Sequence, residues 1–235
     1  MIQQSKGKIF LADQRGLNET ASFRSMNTFN FGKYFNEHKQ AFGDMYVLND
    51  DTLAGGYAVK MLIEEDSFII LVPVAGAIEY KDNHGNKNII AAGQVQAVWL
   101  YRGCVMEINN PFSDQPVNFL QLWFRANKPI QPRFLQLITY NDVNENLNSL
   151  VKALPIDLDT NTLPFELAIG KFSGRGETVY HPASQNNRIF VFVIEGAFEV
   201  EGRLLHAGDG LALWEAKEAE MEALSNDAII LVIEH

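Results

Sequence analysis

The chain has 235 residues, with 19 Lys and Arg against 29 Asp and Glu and a formal charge of −10. Its content of 47% hydrophobic and 20% charged residues is that of a globular chain, not a disordered or fibrous one. The acidic balance speaks against nucleic acid as a partner, because phosphate binding rests on clustered Lys and Arg. One cysteine, Cys104, excludes an intrachain disulfide and fits a reducing compartment. The opening MIQQSKGKIF has no signal-peptide core, and the longest apolar run, 68–75, is far short of a membrane span. A cytoplasmic location without membrane contact is expected.

Segments 47–48, 57–63, 68–74, 77–80, 95–100, 104–108 and 117–124 are rich in β-branched and aromatic residues and are predicted strands. Between them, Asp50-Asp51, Gly55-Gly56, Asn83-His84-Gly85-Asn86 and Asn109-Asn110-Pro111 read as turns, since Gly and Asn tolerate positive φ and Pro fixes it. The rhythm breaks over 125–133, where Pro129 and Pro132 rule out a central strand. Beyond it, Asp142 and Glu145 have capping-box spacing. Val143, Leu147, Leu150, Val151 and Leu154 then form an apolar stripe that Pro155 stops, which predicts a linking helix over 141–154. Strands resume from Phe165 to the end.

The two strand-rich stretches are copies. Val74-Ala75-Gly76-Ala77-Ile78-Glu79-Tyr80 lines up with Ile194-Glu195-Gly196-Ala197-Phe198-Glu199-Val200, and Ala92-Gly93-Gln94-Val95 with Ala207-Gly208-Asp209-Gly210. Trp99 and Trp214 fall at equivalent places, which suits packing rather than chemistry, and Met106 falls on Met221. The predicted fold is therefore all-β, two tandem jelly-roll barrels with a short linking helix. The expected division is 1–125, a linker and helix at 126–155, and 156–235, with about the first 25 residues pairing into the second barrel.

Val47-Leu48-Asn49-Asp50-Asp51, the hairpin of 74–86, Gly93-Gln94-Val95-Gln96 and Leu120-Gln121-Leu122-Trp123 resemble the pirins, bicupins of the cupin superfamily. The second half is similar, more loosely, to the C-terminal cupin of pirin-like quercetinases. The resemblance implies an N-terminal barrel holding one iron through a His-x-His-x-x-x-Glu motif, a further histidine and a glutamate. It also implies, for some members, oxidative opening of quercetin. Counting from Gly76 and Gly93, the histidine positions fall on Leu62, Glu64 and Met106, and the carboxylate positions on Phe68 and Ile108. No imidazole remains, and a thioether suits copper(I) rather than iron. The equivalent positions of the second barrel are Pro182, Ser184 and Met221.

The expectation is thus a pirin-like chain without the usual metal, cofactor or catalytic residues. Its pocket at Leu62, Glu64, Met106 and Ile108 would bind a small apolar or aromatic molecule, or a protein partner. Lys60, Phe68, Arg102 and Cys104 are the expected neighbours, with Lys60 or Arg102 balancing Glu64. A quercetin 2,3-dioxygenase with an atypical ligand set is the alternative. His181 is the one histidine expected near a barrel mouth; His84, in a hairpin tip, and His235 read as solvated, and His206 as structural. Cys104, with no histidine close in sequence, reads as a buried thiol.

Overall fold

The computed structural model of the protein describes residues 5–126, 135–140, 142–154, 163–184 and 186–235. Apart from a 3₁₀ turn at Ala12–Gln14, every regular element in them is a strand. The chain divides into two compact units, 15–139 and 1–14 with 140–235.

The N-terminal strand β1 (Lys6–Phe10) belongs to the second unit, where it pairs antiparallel with a strand described below. The first unit holds β2 (Gly16–Glu19), β3 (Phe23–Asn27), β4 (Met45–Leu53), β5 (Ala58–Leu62), β6 (Ser67–Ala75), β7 (Ala77–Asp82), β8 (Lys87–Ala91), β9 (Gln94–Leu100), β10 (Val105–Asn109), β11 (Val117–Arg125) and β12 (Leu135–Thr139). They form a seven-stranded sheet in the order β12-β9-β6-β11-β4-β3-β2 and a four-stranded sheet in the order β5-β10-β7-β8. Alternation explains the core between them: Ile69 and Leu71 of β6, Val98 and Leu100 of β9, and Phe119 and Trp123 of β11 meet Ile78, Tyr80, Met106 and Ile108.

The second unit holds β13 (Ser149–Leu154), β14 (Glu166–Phe172), β15 (Glu177–Tyr180), β16 (Ile189–Glu195), β17 (Ala197–Val200), β18 (Arg203–His206), β19 (Gly210–Trp214), β20 (Ala219–Ala223) and β21 (Ala228–Glu234). Its sheets run β1-β19-β16-β21-β14-β13 and β15-β20-β17-β18. The order repeats that of the first unit, with β1 taking the place that β12 has there and with no counterpart of β2 among the described residues. The duplicated glycines are duplicated in conformation, φ +80° at Gly76 and +78° at Gly196. Each turns the chain from one sheet to the other, and a Cβ at Gly196 would lie 2.4 Å from Ser225 Oγ.

The predicted linking helix is not found among the described residues, 142–154. The Asp142 carboxylate does accept a hydrogen bond from a following backbone N–H, at Asn144 (2.8 Å), but this closes a turn, not a helix. Asn148 then takes φ +60°, and its Oδ1 accepts from Ser173 N (2.9 Å) and Ser173 Oγ (3.0 Å). From there the chain alternates as a strand: Leu150 packs against the second core, Val151 is buried on the opposite face, and Leu147, ahead of the strand, is 46% exposed. Pro129, Pro132, Asn141 and Pro155, which framed the linker, lie outside the described residues. Asp50-Asp51 is not a turn either, but lies inside β4.

Asn148→Ala removes two hydrogen bonds and strains a left-handed residue, so it is expected to cost roughly 1–2 kcal/mol. Leu147→Ala is expected to change stability by less than about 0.5 kcal/mol. Thermal unfolding of both variants checks this; a helix would reverse the ranking.

Candidate functional site

The residues expected in one pocket separate in the structure. Met106 and Ile108 are buried in the first core, whereas Leu62 is 60% exposed and Glu64 is also exposed. The β5–β10 register explains the split, because Met106 stands opposite Met61 while Leu62 stands opposite Val105. Met61, not Leu62, shares the inward face. Counting back from Gly76 crosses the turn between β5 and β6, where strict alternation does not hold.

The expected neighbours scatter as well. Lys60 lies on the outer face and pairs with Glu107 at 3.0 Å, an exposed contact of little energetic weight. Phe68 is buried, but on the face of β6 opposite to Ile69 and Leu71. Arg102 is exposed, and its backbone N–H donates to Asp66 Oδ1 (2.9 Å); it does not balance Glu64. His181 is largely exposed, its Nδ1 3.8 Å from Glu218 Oε2. Cys104 is buried, yet His84 Nε2 lies 3.1 Å from its sulfur, which the sequence separation had hidden. Burial, then the Asp82 and Asp66 carboxylates, push the thiol up despite contacts with Tyr101. A nucleophilic cysteine needs the opposite shift.

What the structure does assemble is a cavity of about 370 Å³ at the end of the first core. Its walls are Phe31, Tyr46 and Trp123, its floor includes Met61, and Leu62, Glu64 and Glu65 form the rim. Two local devices position the walls. Val47 pairs with Trp123 and Met45 with Phe124, so Tyr46 is the extra residue of a β-bulge. The bulge turns its ring toward Trp123, 6.1 Å away at 84°. Phe31 opens a tight turn closed by Tyr34 N to Phe31 O (3.0 Å), with Gly32 at φ +58°, and meets Trp123 at 5.8 Å and 80°.

Behind Trp123 lies a buried polar ribbon across β3, β4 and β11. Ser25 stands opposite Asp51, and Asn49 stands opposite both Asn27 and Gln121; all five are essentially inaccessible. Gln121 joins the ribbon to the cavity. Its Oε1 accepts from Trp123 Nε1 (3.1 Å), its Nε2 donates to Asp51 Oδ2, and the same nitrogen lies 3.5 Å from Met61 Sδ. Burial pushes the Asp51 carboxyl up to about 7, the Ser25 hydroxyl and Gln121 amide opposing and the Asp50 charge adding to the rise. Asn49 Oδ1 and Nδ2 and Asp51 Oδ1 have no hydrogen-bond partner among the described residues. At the rim, burial pushes the Tyr46 hydroxyl up to about 12, with the Glu65 and Glu64 charges adding and Ser67 and Arg125 opposing.

Sequence reasoning missed Tyr46, Phe31 and the ribbon. Asn49, Asp51, Gln121 and Trp123 stood out only as letters shared with a family. The second barrel also carries polar residues that went unread. Tyr180 ends β15 as Leu62 ends β5, and its hydroxyl donates to Glu234 Oε2 (2.6 Å). Ala183 N (2.8 Å) and Asn187 Nδ2 donate to Glu234 Oε1, and Lys152 pairs with Glu166 at 2.9 Å.

Comparison with known proteins places this geometry. A pirin family model matches residues 11–124, and a model of the quercetinase C-terminal cupin domain matches 165–234. The chain belongs to the pirin family. It is 23% identical over 231 residues to the quercetin 2,3-dioxygenase of Escherichia coli K12, covering 94% of this chain and 95% of that one. It is 24% identical to a pirin-like protein of Caulobacter vibrioides, covering 94% and 96%. Among solved structures, the E. coli pirin YhhW superposes with a TM-score of 0.84 at 23% identity over 97% of each chain. A second structure of YhhW, in complex with nickel(II), gives 0.82 at 23% identity, over 97% of this chain and 98% of that one.

The donor chemistry of this pirin does not fit a resident transition ion. The inward positions near the cavity offer the thioethers of Met61 and Met106 and the alkyl groups of Ile63 and Ile108. Among the described residues, no three His, Cys, Asp or Glu are grouped to hold a metal ion. Of the carboxyls near the cavity, Glu64 and Glu65 stand at its rim, and Asp51, inside the barrel, is pushed up to about 7 by burial.

That acid predicts a pH dependence. The folded chain keeps a proton that the unfolded chain has released between its ordinary value of 3.8 and about 7. Stability therefore falls as pH rises through that window and the loss is complete above it. Each tenfold change in proton affinity is worth about 1.4 kcal/mol, so the full effect is a few kcal/mol. Urea unfolding is expected to give lower stability at about pH 8 than at about pH 5.5. The slope should vanish in Asp51→Asn, whose amide imitates the neutral acid. Wild-type stability that rises across the window would mean an ionised, paired Asp51.

Proposed function

We propose that this pirin is a metal-free, non-catalytic protein that binds a small molecule in the cavity walled by Phe31, Tyr46 and Trp123. The observation that carries the reading is the pairing of a preformed aromatic and thioether cavity with a donor set lacking imidazole. A volume of about 370 Å³ lies in the range of small-molecule sites. Few groups there can do acid–base work. Tyr46 is held above the physiological range, and Asp51 lies behind Trp123, bonded to Gln121. Binding would proceed by burial against the rings and the Met61 side chain, without a Lewis acid. The cytoplasm, with its reduced thiols, suits the single buried Cys104.

A second reading follows from the relatives named as quercetin 2,3-dioxygenases and from the nickel(II) complex of YhhW. In it, the chain retains oxygen chemistry with an unusual ligand set in which Glu64 is the remaining hard donor. Two measurements separate the readings. Elemental analysis of purified, untagged protein is expected to give far less than one iron, nickel or copper per chain, and oxygen uptake with quercetin is expected to match the protein-free rate. Stoichiometric metal together with quercetin turnover that Glu64→Ala abolishes would establish the second.

A further inference from the structure

The chemistry of the cavity rim narrows the ligand class, a narrowing that rests on the ligand-binding reading above. Three rings bound the space, with Phe31 and Tyr46 each standing steeply to Trp123 at 80° and 84°. Rings set steeply to one another are the arrangement in which π faces can meet a cation from more than one direction. The lining adds two carboxylates, Glu64 and Glu65, and no basic side chain. The two carboxylates are not equivalent. Glu65 is taken by Arg125 (Nε to Oε2, 3.1 Å), whereas Glu64 makes no ion pair or hydrogen bond among the described residues.

The molecule also shows the same chemistry beside the cavity. The Arg125 guanidinium sits 4.8 Å from the centre of the Tyr46 ring, with Glu65 as its counter-charge. Tyr46 is thus already a cation-stacking surface. Once Glu65 and Arg125 cancel, Glu64 is the uncompensated charge at the opening. A primary ammonium would need hydrogen-bond acceptors on several sides, and apart from Asn30 and the Tyr46 hydroxyl those of the lining are the carboxylates of the rim. A quaternary ammonium needs none, since its methyl groups bury against rings and thioether while its charge is met by π faces and Glu64.

We propose that the cavity of the first barrel is an aromatic cage for a quaternary ammonium group, with Phe31, Tyr46 and Trp123 as walls and Glu64 as the counter-charge. Selectivity then comes from charge at constant shape, and Glu64 acts as a long-range attractor that salt weakens.

Isothermal titration of the intact protein with choline, against its neutral isostere 3,3-dimethylbutan-1-ol, tests this directly. Choline is expected to bind at least about tenfold more tightly than the alcohol, the size of a partly desolvated cation–π preference. Tyr46→Leu is expected to weaken choline about tenfold and Tyr46→Phe by less than about threefold, because the ring and not the hydroxyl is the wall. Glu64→Gln, at an exposed position that does not threaten folding, is expected to weaken choline about threefold and flatten its salt dependence. Thermal unfolding confirms that each variant is folded. Cosedimentation with phosphatidylcholine vesicles, with the same dependence on Tyr46 and Glu64, would assign the group to a lipid headgroup; choline binding without cosedimentation assigns it to a free small molecule. Equal binding of the alcohol, or no choline binding by the wild type, overturns the cage. If quercetin or another uncharged aromatic then binds in a Tyr46-dependent way, the ligand-binding reading stands and only the cation assignment falls.

Discussion

The interior of the first barrel depends on how one buried acid is accommodated. Asp51 lies fully buried on the inward face of β4, where an unpaired carboxylate would be prohibitively desolvated. The groups beside it are an amide and a hydroxyl, with Ser25 opposite on β3 and Gln121 donating from β11; they favour the ionised form and only partly offset burial, which holds the carboxyl up at about 7. Gln121 then has one oxygen left, and it accepts the indole N–H of Trp123. The orientation of the indole, and so the back wall of the cavity, follows from how a carboxyl on the neighbouring strand is satisfied. A polar network of this kind is tolerable only when nearly complete, which makes the unpartnered Asn49 amide and Asp51 Oδ1 its weakest points.

Much of the fold could be read from the sequence because alternation is a local signal. Strands such as β6, β9 and β11 were recoverable from their β-branched and aromatic runs, and the two copies from their glycine turns. The failures share a cause. The stripe from Val143 to Leu154 fits a period of 3.6 better than one of two, and nothing local reveals that Asn148 turns left-handed to hydrogen-bond Ser173 and that a strand begins at Ser149. Asp50-Asp51 looks like a turn because burying an acid is improbable until its partners on β3 and β11 are known. Leu62 looked like the inward residue because counting from a glycine assumes that no turn intervenes.

The site was less legible than the fold, for a related reason. Tyr46 reaches the cavity because a bulge gives β4 one residue more than β11, and a bulge has no reliable signature in one strand alone. Phe31 sits in a connection, held by a turn around Gly32 rather than by a pattern. The family letters Asn49, Asp51, Gln121 and Trp123 were conspicuous, but their physical meaning appears only when register sets them side by side. Likewise, His84 and Cys104 are twenty residues apart and touch only because the hairpin tip folds over β10.

The two barrels share a topology and differ in what closes one end. In the second, Glu234 receives Tyr180, Ala183 and Asn187, and Glu166 receives Lys152, so each carboxylate is matched within the protein. Hydrogen-bonding capacity there is spent on joining the end of β21 to the segment after β15. In the first, the corresponding end keeps aromatic surface, a thioether and the unpaired Glu64 around open space. A duplicated fold can leave one end unmatched if the other supplies stability. The internal matching of the second and the unmatched groups of the first are what that division of labour would leave behind.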